Sequence, residues 1–177
     1  MKNVVILAGS PRIQGNSDVL CDEFMKGAID AGHRVEKIQI AKEDIHFCTG
    51  CGSCPKTGRC VQRDAMDAIL EKMVTADVIV MATPVYFYNM SAQMKMLIDR
   101  TCPVYTKLGN KDYYVIMSAA EEDREPMKHV VESFQGFFDC LEEPNVRDII
   151  YGLGVYDMHE VEKTPLMNQA YQAGNKI

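Results

Sequence analysis

Short aliphatic runs alternate with amphipathic stretches along the whole chain, and this alternation constrains the fold more than any other feature. Asn3–Ala8 is continuously apolar, as expected of a strand covered on both faces. From Ser17 to Ala31, Leu20, Phe24 and Ala28 recur at helical spacing with Val19 and Ile29 flanking them, and Gly32 follows as a stop. Arg34–Ile40, with Val35, Ile38 and Ile40, predicts a second and less buried strand. Met66, Ile69, Leu70 and Met73 form a helical stripe that Asp64 could cap. Asp77–Ala82 predicts a strand, Met90, Met94, Leu97 and Ile98 a helix, and Tyr113–Ser118 another strand. The clearest stripe is Met127, Val130, Val131, Phe134, Phe138 and Leu141; a fifth strand over Ile149–Val155 and a last helix over Pro165–Ala173 follow.

Strict β-α alternation produces a parallel sheet with helices on both faces, because right-handed crossovers return each helix to the sheet. Five strands in 177 residues predict a single α/β domain, 1–177, doubly wound in the flavodoxin-like order 2-1-3-4-5. In that order strands 1 and 3 are neighbours whose following helices leave to opposite sides. The loops Gly9–Asn16 and Thr83–Asn89 then open a crevice at the switch point, where a site is expected.

Charge and hydropathy exclude several classes. The formal charge is −6 and no segment gathers positive residues, which disfavours a nucleic-acid partner. The longest apolar runs, Val4–Ala8 and Val78–Ala82, fall far short of the roughly twenty residues that cross a bilayer. Neither a signal peptide nor a membrane partner is expected, and a cytoplasmic location is.

The loop Gly9-Ser10-Pro11-Arg12-Ile13-Gln14-Gly15-Asn16-Ser17 lacks the features of competing phosphate binders. Five residues separate Gly9 from Gly15, and Asn16 stands where a Walker loop needs Lys. The dinucleotide fingerprint and a Cys-x5-Arg turn are absent too. What remains is a set of donors, Ser10, Arg12, Gln14, Asn16 and Ser17, at a helix start whose free N–H groups and dipole attract anions. A Ser/Asn-capped helix after a glycine turn would show the same residues without any ligand.

Pro84-Val85-Tyr86-Phe87-Tyr88-Asn89 places three consecutive aromatics at the mouth of that crevice. Three in a row cannot all face a core at strand or helix period, so at least one is expected to be exposed. Exposed aromatic faces suit a flat heterocycle. Packing under a neighbouring loop or at a subunit contact is the alternative.

Together, GSPRxxGNS after strand 1 and TPVYFYNMSAQMKMLIDR after strand 3 resemble the NAD(P)H-dependent FMN reductase family of flavodoxin-like proteins. The likeness runs clearly to about Thr101 and more loosely beyond. It implies FMN, with its phosphate on Ser10, Arg12, Asn16 and Ser17 and its ring against Pro84–Asn89, bordered by Ser118, Ala119 and Ala120. It also implies NADH or NADPH as reductant, a small-molecule or redox-protein acceptor, and a homodimer or homotetramer.

Seven cysteines are many for such a chain, and Cys48, Cys51, Cys54 and Cys60 fall within thirteen residues. In a reducing compartment such a cluster reads as a metal site or redox centre. The spacing resembles the compact motif of iron–sulfur flavoproteins, a branch of this fold, and so implies a 4Fe–4S cluster. Zinc, or no metal at all, remains open on the residues alone.

His33, His46, His129 and His159 share no metal-site spacing, and Glu121, Glu122 and Asp123 read as a solvated loop. A flavin-dependent oxidoreductase leads these expectations. A non-enzymatic electron carrier like flavodoxin and a cysteine-rich zinc-binding regulator are the rivals.

Overall fold

The computed structural model describes residues 1–177. Its strands are β1 (Asn3–Ala8), β2 (Arg34–Gln39), β3 (Val78–Tyr86), β4 (Asn89–Met90), β5 (Asp112–Ser118) and β6 (Asn145–Gly152). The helices are α1 (Asn16–Asp30), α2 (Cys54–Thr57), α3 (Met66–Thr75), α4 (Ala92–Asp99), α5 (Lys128–Phe138) and α6 (Leu166–Asn175).

The sheet is flavodoxin-like, in the order β2-β1-β3-β5-β6, and every neighbour in that path is parallel. The expected five-stranded order differs from it in detail. A sixth strand, β4, pairs antiparallel with the end of β3 through Val85–Met90 and Tyr86–Asn89. The aromatic run that follows strand 3 therefore turns back as a hairpin and is no simple loop. The last strand also begins at Asn145, four residues before the expected Ile149, because its first half is exposed and carries no apolar signature.

Both faces of the sheet are covered, as the continuous apolar strands require. On one face Leu7, Ile79, Met81 and Val115 pack with Met73 of α3, Leu97 of α4 and Phe134 and Phe138 of α5. On the other, Ile6, Val80 and Ile116 pack with Leu20 and Phe24 of α1 and Ala170 of α6. Helices α1 and α6 cross at two glycines. A Cβ on Gly27 would lie 2.0 Å from the Tyr171 carbonyl oxygen, and one on Gly174 equally close to that of Phe24. Any side chain there would push α6 off the sheet.

No helix is long and apolar enough to cross a membrane.

Candidate functional site

The C-terminal ends of β1 and β3 part at the switch point, and the crevice between them is lined by three loops and by the segment after β6. Ser10, Arg12, Gly15, Asn16 and Ser17 come from the first; Pro84, Val85 and Tyr86 from the second; Ser118, Ala119 and Ala120 from the third. The sequence-predicted groups from all three loops thus meet at one place. Phe87, Tyr88 and Asn89 lie at the hairpin that rims it, and Phe87 and Tyr88 line an adjoining hollow with Glu121 and Met127.

The first loop is a preformed turn. Ser10 Oγ accepts the Arg12 N–H at 3.1 Å and donates to the Arg12 carbonyl at 2.9 Å. Gln14, at φ +59°, donates its N–H to Asp18 Oδ2 at 2.8 Å, so its backbone shapes the turn. Asp18 is buried and also receives Lys37 Nζ at 3.0 Å, which neutralises a carboxylate lying close behind the helix start. The turn delivers α1 with no side-chain cap: Gly15 occupies the N-cap position. The backbone N–H groups of Asn16 and Ser17 have no partner within the chain. Ser17 is 1% exposed and lines the crevice, yet its hydroxyl is not engaged by any protein group. A buried helix end without partners calls for an external acceptor. A phosphate would meet that need.

Two predicted donors are already committed elsewhere. Asn16 Nδ2 donates to the Asp157 carbonyl at 2.9 Å, and its Oδ1 accepts the Val161 N–H at 3.2 Å. Arg12 Nη1 donates to the Tyr156 carbonyl at 3.3 Å, with the guanidinium 5.9 Å from the Tyr156 ring centroid. Both side chains tie the first loop to the segment after β6. That segment contributes Val155, Tyr156 and Met158 to the crevice wall, which the sequence reasoning missed. The only local signal was the turn glycine Gly154, at φ +68°.

The floor of the crevice is hydrogen-bonded across the switch point. Ser91 Oγ donates to the Gly9 carbonyl at 2.7 Å, and Thr83 Oγ1 accepts the Ser91 N–H at 2.8 Å. Gly9 itself donates to Ala82 at 2.7 Å, and a Cβ there would sit 2.8 Å from that same Ala82 oxygen. At the rim all three aromatics are exposed, Phe87 completely so. Phe87 and Tyr88 are the central pair of the hairpin, at φ +50° and +56°. Positive φ at both positions is the type I′ geometry, normally given to Asn and Gly, and each aromatic there stores on the order of 1–3 kcal/mol of strain. Tyr88 Oη donates to Glu121 Oε2 at 3.3 Å, closing the rim toward the third loop.

The cysteine loop lies between β2 and α3 and is pinned by one buried guanidinium. Arg100, which follows α4, donates through Nη1 and Nη2 to Asp64 at 2.7 and 2.9 Å and through Nη1 to the His46 carbonyl. His46 precedes Cys48 and Asp64 follows Cys60, so Arg100 holds both ends of the loop. Burial works to raise the Asp64 carboxyl, but Arg100 and the N–H groups of His46 and Met66 win and hold it well below the usual carboxylate range. Asp64 accepts the Met66 N–H, but the N-cap of α3 is Ala65 without a side-chain cap, and the main partner of Asp64 is Arg100.

The four cysteines are not gathered. No three His, Cys, Asp or Glu side chains converge where they could hold a metal ion. Cys48 and Cys51 are exposed, and Cys54 and Cys60 half-buried. In this arrangement the thiols do not fit a cluster. Desolvation, and next to it the neighbouring Cys102 thiol, push the Cys54 thiol up to about 11.

Comparison with known proteins shows the fold and the family. Two curated relatives are iron–sulfur flavoproteins. One, from Archaeoglobus fulgidus, is 46% identical over 103 residues, which are 58% of this chain and 46% of that protein. The other, from Methanocaldococcus jannaschii, is 41% identical over 101 residues, 57% of this chain and 52% of that protein. The chain thus spans about half the length of the curated relatives it matches. Among solved structures, an azoreductase from Bacillus anthracis superposes with a TM-score of 0.76 at 16% identity, covering 100% of each chain, which shows the shared fold. The family model for NADPH-dependent FMN reductase matches residues 1–154, the stretch that holds all three crevice loops. With that match over most of its length, the chain belongs to the NADPH-dependent FMN reductase family.

Proposed function

We propose that this chain is an FMN-dependent oxidoreductase that takes reducing equivalents from NADH or NADPH and passes them to an acceptor. The observation that carries the reading is the unpartnered donor set at the start of α1, facing the aromatic hairpin across the switch point. Family membership supports it.

The N–H groups of Asn16 and Ser17 and the Ser17 hydroxyl hold the FMN phosphate in this reading, with Arg12 at the mouth. Neutral donors and a helix dipole suffice, which suits a chain of charge −6. Pro84–Asn89 flank the isoalloxazine ring, and Ser118–Ala120 border its other edge. Glu121, through Tyr88, holds the hairpin in place. The flavin supplies the hydride-accepting chemistry when bound, so no protein acid or base is required. The chain's own tasks are to orient the ring, exclude water from one face and leave the other open to the nicotinamide.

A homodimer or homotetramer and a cytoplasmic location belong to the same reading. The acceptor is a small molecule or a redox protein. The cysteine spacing and the name carried by the relatives support a 4Fe–4S cluster on Cys48, Cys51, Cys54 and Cys60, but those thiols stand apart and the flavin chemistry runs without it.

Anaerobic mixing of the FMN-loaded chain with NADH or NADPH tests the activity. Rapid bleaching of the flavin absorbance by either is expected. Failure with both, together with reduction by a redox protein, would assign the chain to electron carriers instead.

A further inference from the structure

Glu121 and Glu122, which read from the sequence as part of a solvated loop, both line the hollow that adjoins the crevice. The hollow measures about 540 Å³, within the ~300–1,000 Å³ common to small-molecule sites. Val85, Ala119 and Ala120 line hollow and crevice alike, so the two spaces adjoin at the edge assigned to the flavin ring. Phe87, Tyr88 and Met127 give the hollow flat, apolar surface, and every charged group that lines it is a carboxylate. Glu121 is fixed in place: Oε1 accepts the N–H groups of Glu122 and Asp123 at 3.0 and 3.2 Å, and Oε2 accepts the Tyr88 hydroxyl at 3.3 Å. The Glu122 carboxylate is exposed and has neither a hydrogen bond nor an ion pair. The nearby cations are engaged elsewhere. Arg124 lies 4.0 Å from the Tyr151 ring centroid, Lys128 pairs with Glu125, and His129 faces Glu132 at 3.9 Å.

We propose that this hollow seats the electron acceptor, and that Glu121 and Glu122 select an uncharged planar ring of quinone type over an anionic one. The inference rests on the flavin reading and names the substrate class of the same site. An uncharged ring gains stacking and apolar contact from Phe87 and Tyr88 and needs no ionic partner. A sulfonate on the same ring meets two carboxylates that no neighbouring cation offsets, and like charges repel across a short distance. The two residues divide the work. Glu121 also anchors the hairpin through Tyr88, whereas Glu122 contributes charge alone, so Glu122 reports the selection without disturbing the hairpin. The net reaction balances: NADH or NADPH and one solvent proton supply two electrons and two protons, the quinone leaves as hydroquinone, and the nicotinamide leaves oxidised.

The test compares naphthoquinone with naphthoquinone sulfonate as acceptors for the FMN-loaded chain and its Glu122→Gln variant. Following each quinone across the two proteins cancels the difference in their reduction potentials. The neutral-to-anionic ratio of kcat/KM should fall roughly three- to tenfold in Glu122→Gln, the effect of removing one charge a few ångströms away in a largely aqueous setting. In the parent chain the ratio should also fall as added salt screens the carboxylates. A second readout needs no turnover. Redox-inert naphthamide should bind the FMN-loaded chain more tightly than naphthalenesulfonate, and Glu122→Gln should narrow that gap. Phe87→Ser should weaken both ligands roughly three- to tenfold by removing the stacking face. A ratio that neither Glu122→Gln nor salt changes, a naphthalenesulfonate that binds as tightly as naphthamide, or binding untouched by Phe87→Ser would overturn the proposal. Failure to take up FMN would overturn the flavin reading and this proposal together, whereas a chain whose flavin NADH or NADPH bleaches without any charge selection would overturn this proposal alone.

Discussion

The Ser91 hydroxyl donates to the carbonyl oxygen of Gly9 at 2.7 Å, joining the loop after β1 to the start of α4 beneath the crevice. Both groups are buried, and Ser91 Oγ also accepts the Met94 N–H at 3.3 Å as the cap of α4. This bond sets the spacing between the proposed phosphate turn and the aromatic hairpin.

Ser91→Ala should therefore destabilise the chain by about 1–3 kcal/mol, the cost of a buried carbonyl left without its partner and a lost cap. Gly9→Ala should act on the same joint, since its Cβ would meet the Ala82 oxygen at 2.8 Å and Met94 Cβ at 3.1 Å. Denaturant unfolding measures the first effect. FMN titration of both variants should show weaker binding even where they remain folded.

At the phosphate turn, Arg12→Ala combined with Ser17→Ala should weaken FMN binding by roughly ten- to a hundredfold, the range for losing a hydrogen bond to a charged group. The fold should survive, because the Ser17 hydroxyl has no partner within the chain and Arg12 is exposed. Equilibrium titration of flavin fluorescence, beside a thermal melt, reads both outcomes.

The hairpin tip gives a prediction of opposite sign for stability and function. Phe87→Asn with Tyr88→Gly installs residues that accept positive φ, and should raise the melting temperature by about 2–8 °C. It also removes the exposed aromatic surface beside the crevice, so kcat/KM with NADH or NADPH should fall. A gain in both would separate the strained hairpin from the function.

The Asp64–Arg100 pair yields a pH dependence. Asp64 is held below its ordinary value, so its contribution to stability is present above the unfolded carboxylate pKa of about 4 and is lost as pH falls through the lower folded value. Stability against urea should decline on acidification below about pH 4, and Asp64→Asn should flatten that decline. At neutral pH the same substitution should cost about 3–5 kcal/mol by leaving Arg100 buried without its charge partner.

The alternation of strand and helix was legible because every central strand is apolar on both faces. The stripes Met66–Met73 and Met127–Leu141 were legible because their periodicity carries a single buried face. The first half of β6 was not, because Asn145–Asp148 are exposed and only sheet pairing with β5 keeps them extended. The hairpin at Phe87 and Tyr88 was hidden because aromatics rarely take positive φ, and no Asn-Gly pair announced a turn. In the crevice, the first and second loops could be read from residue type. Val155, Tyr156 and Met158 could not, since their place depends on hydrogen bonds to Asn16 and Arg12 from the far end of the chain.

The most direct measurement is to titrate the purified chain side by side with FMN and with riboflavin, which differ only in the phosphate. If the start of α1 holds that phosphate, FMN should bind at least about tenfold more tightly than riboflavin, and inorganic phosphate should compete. Equal affinity for the two flavins, or no binding of either, would contradict the account.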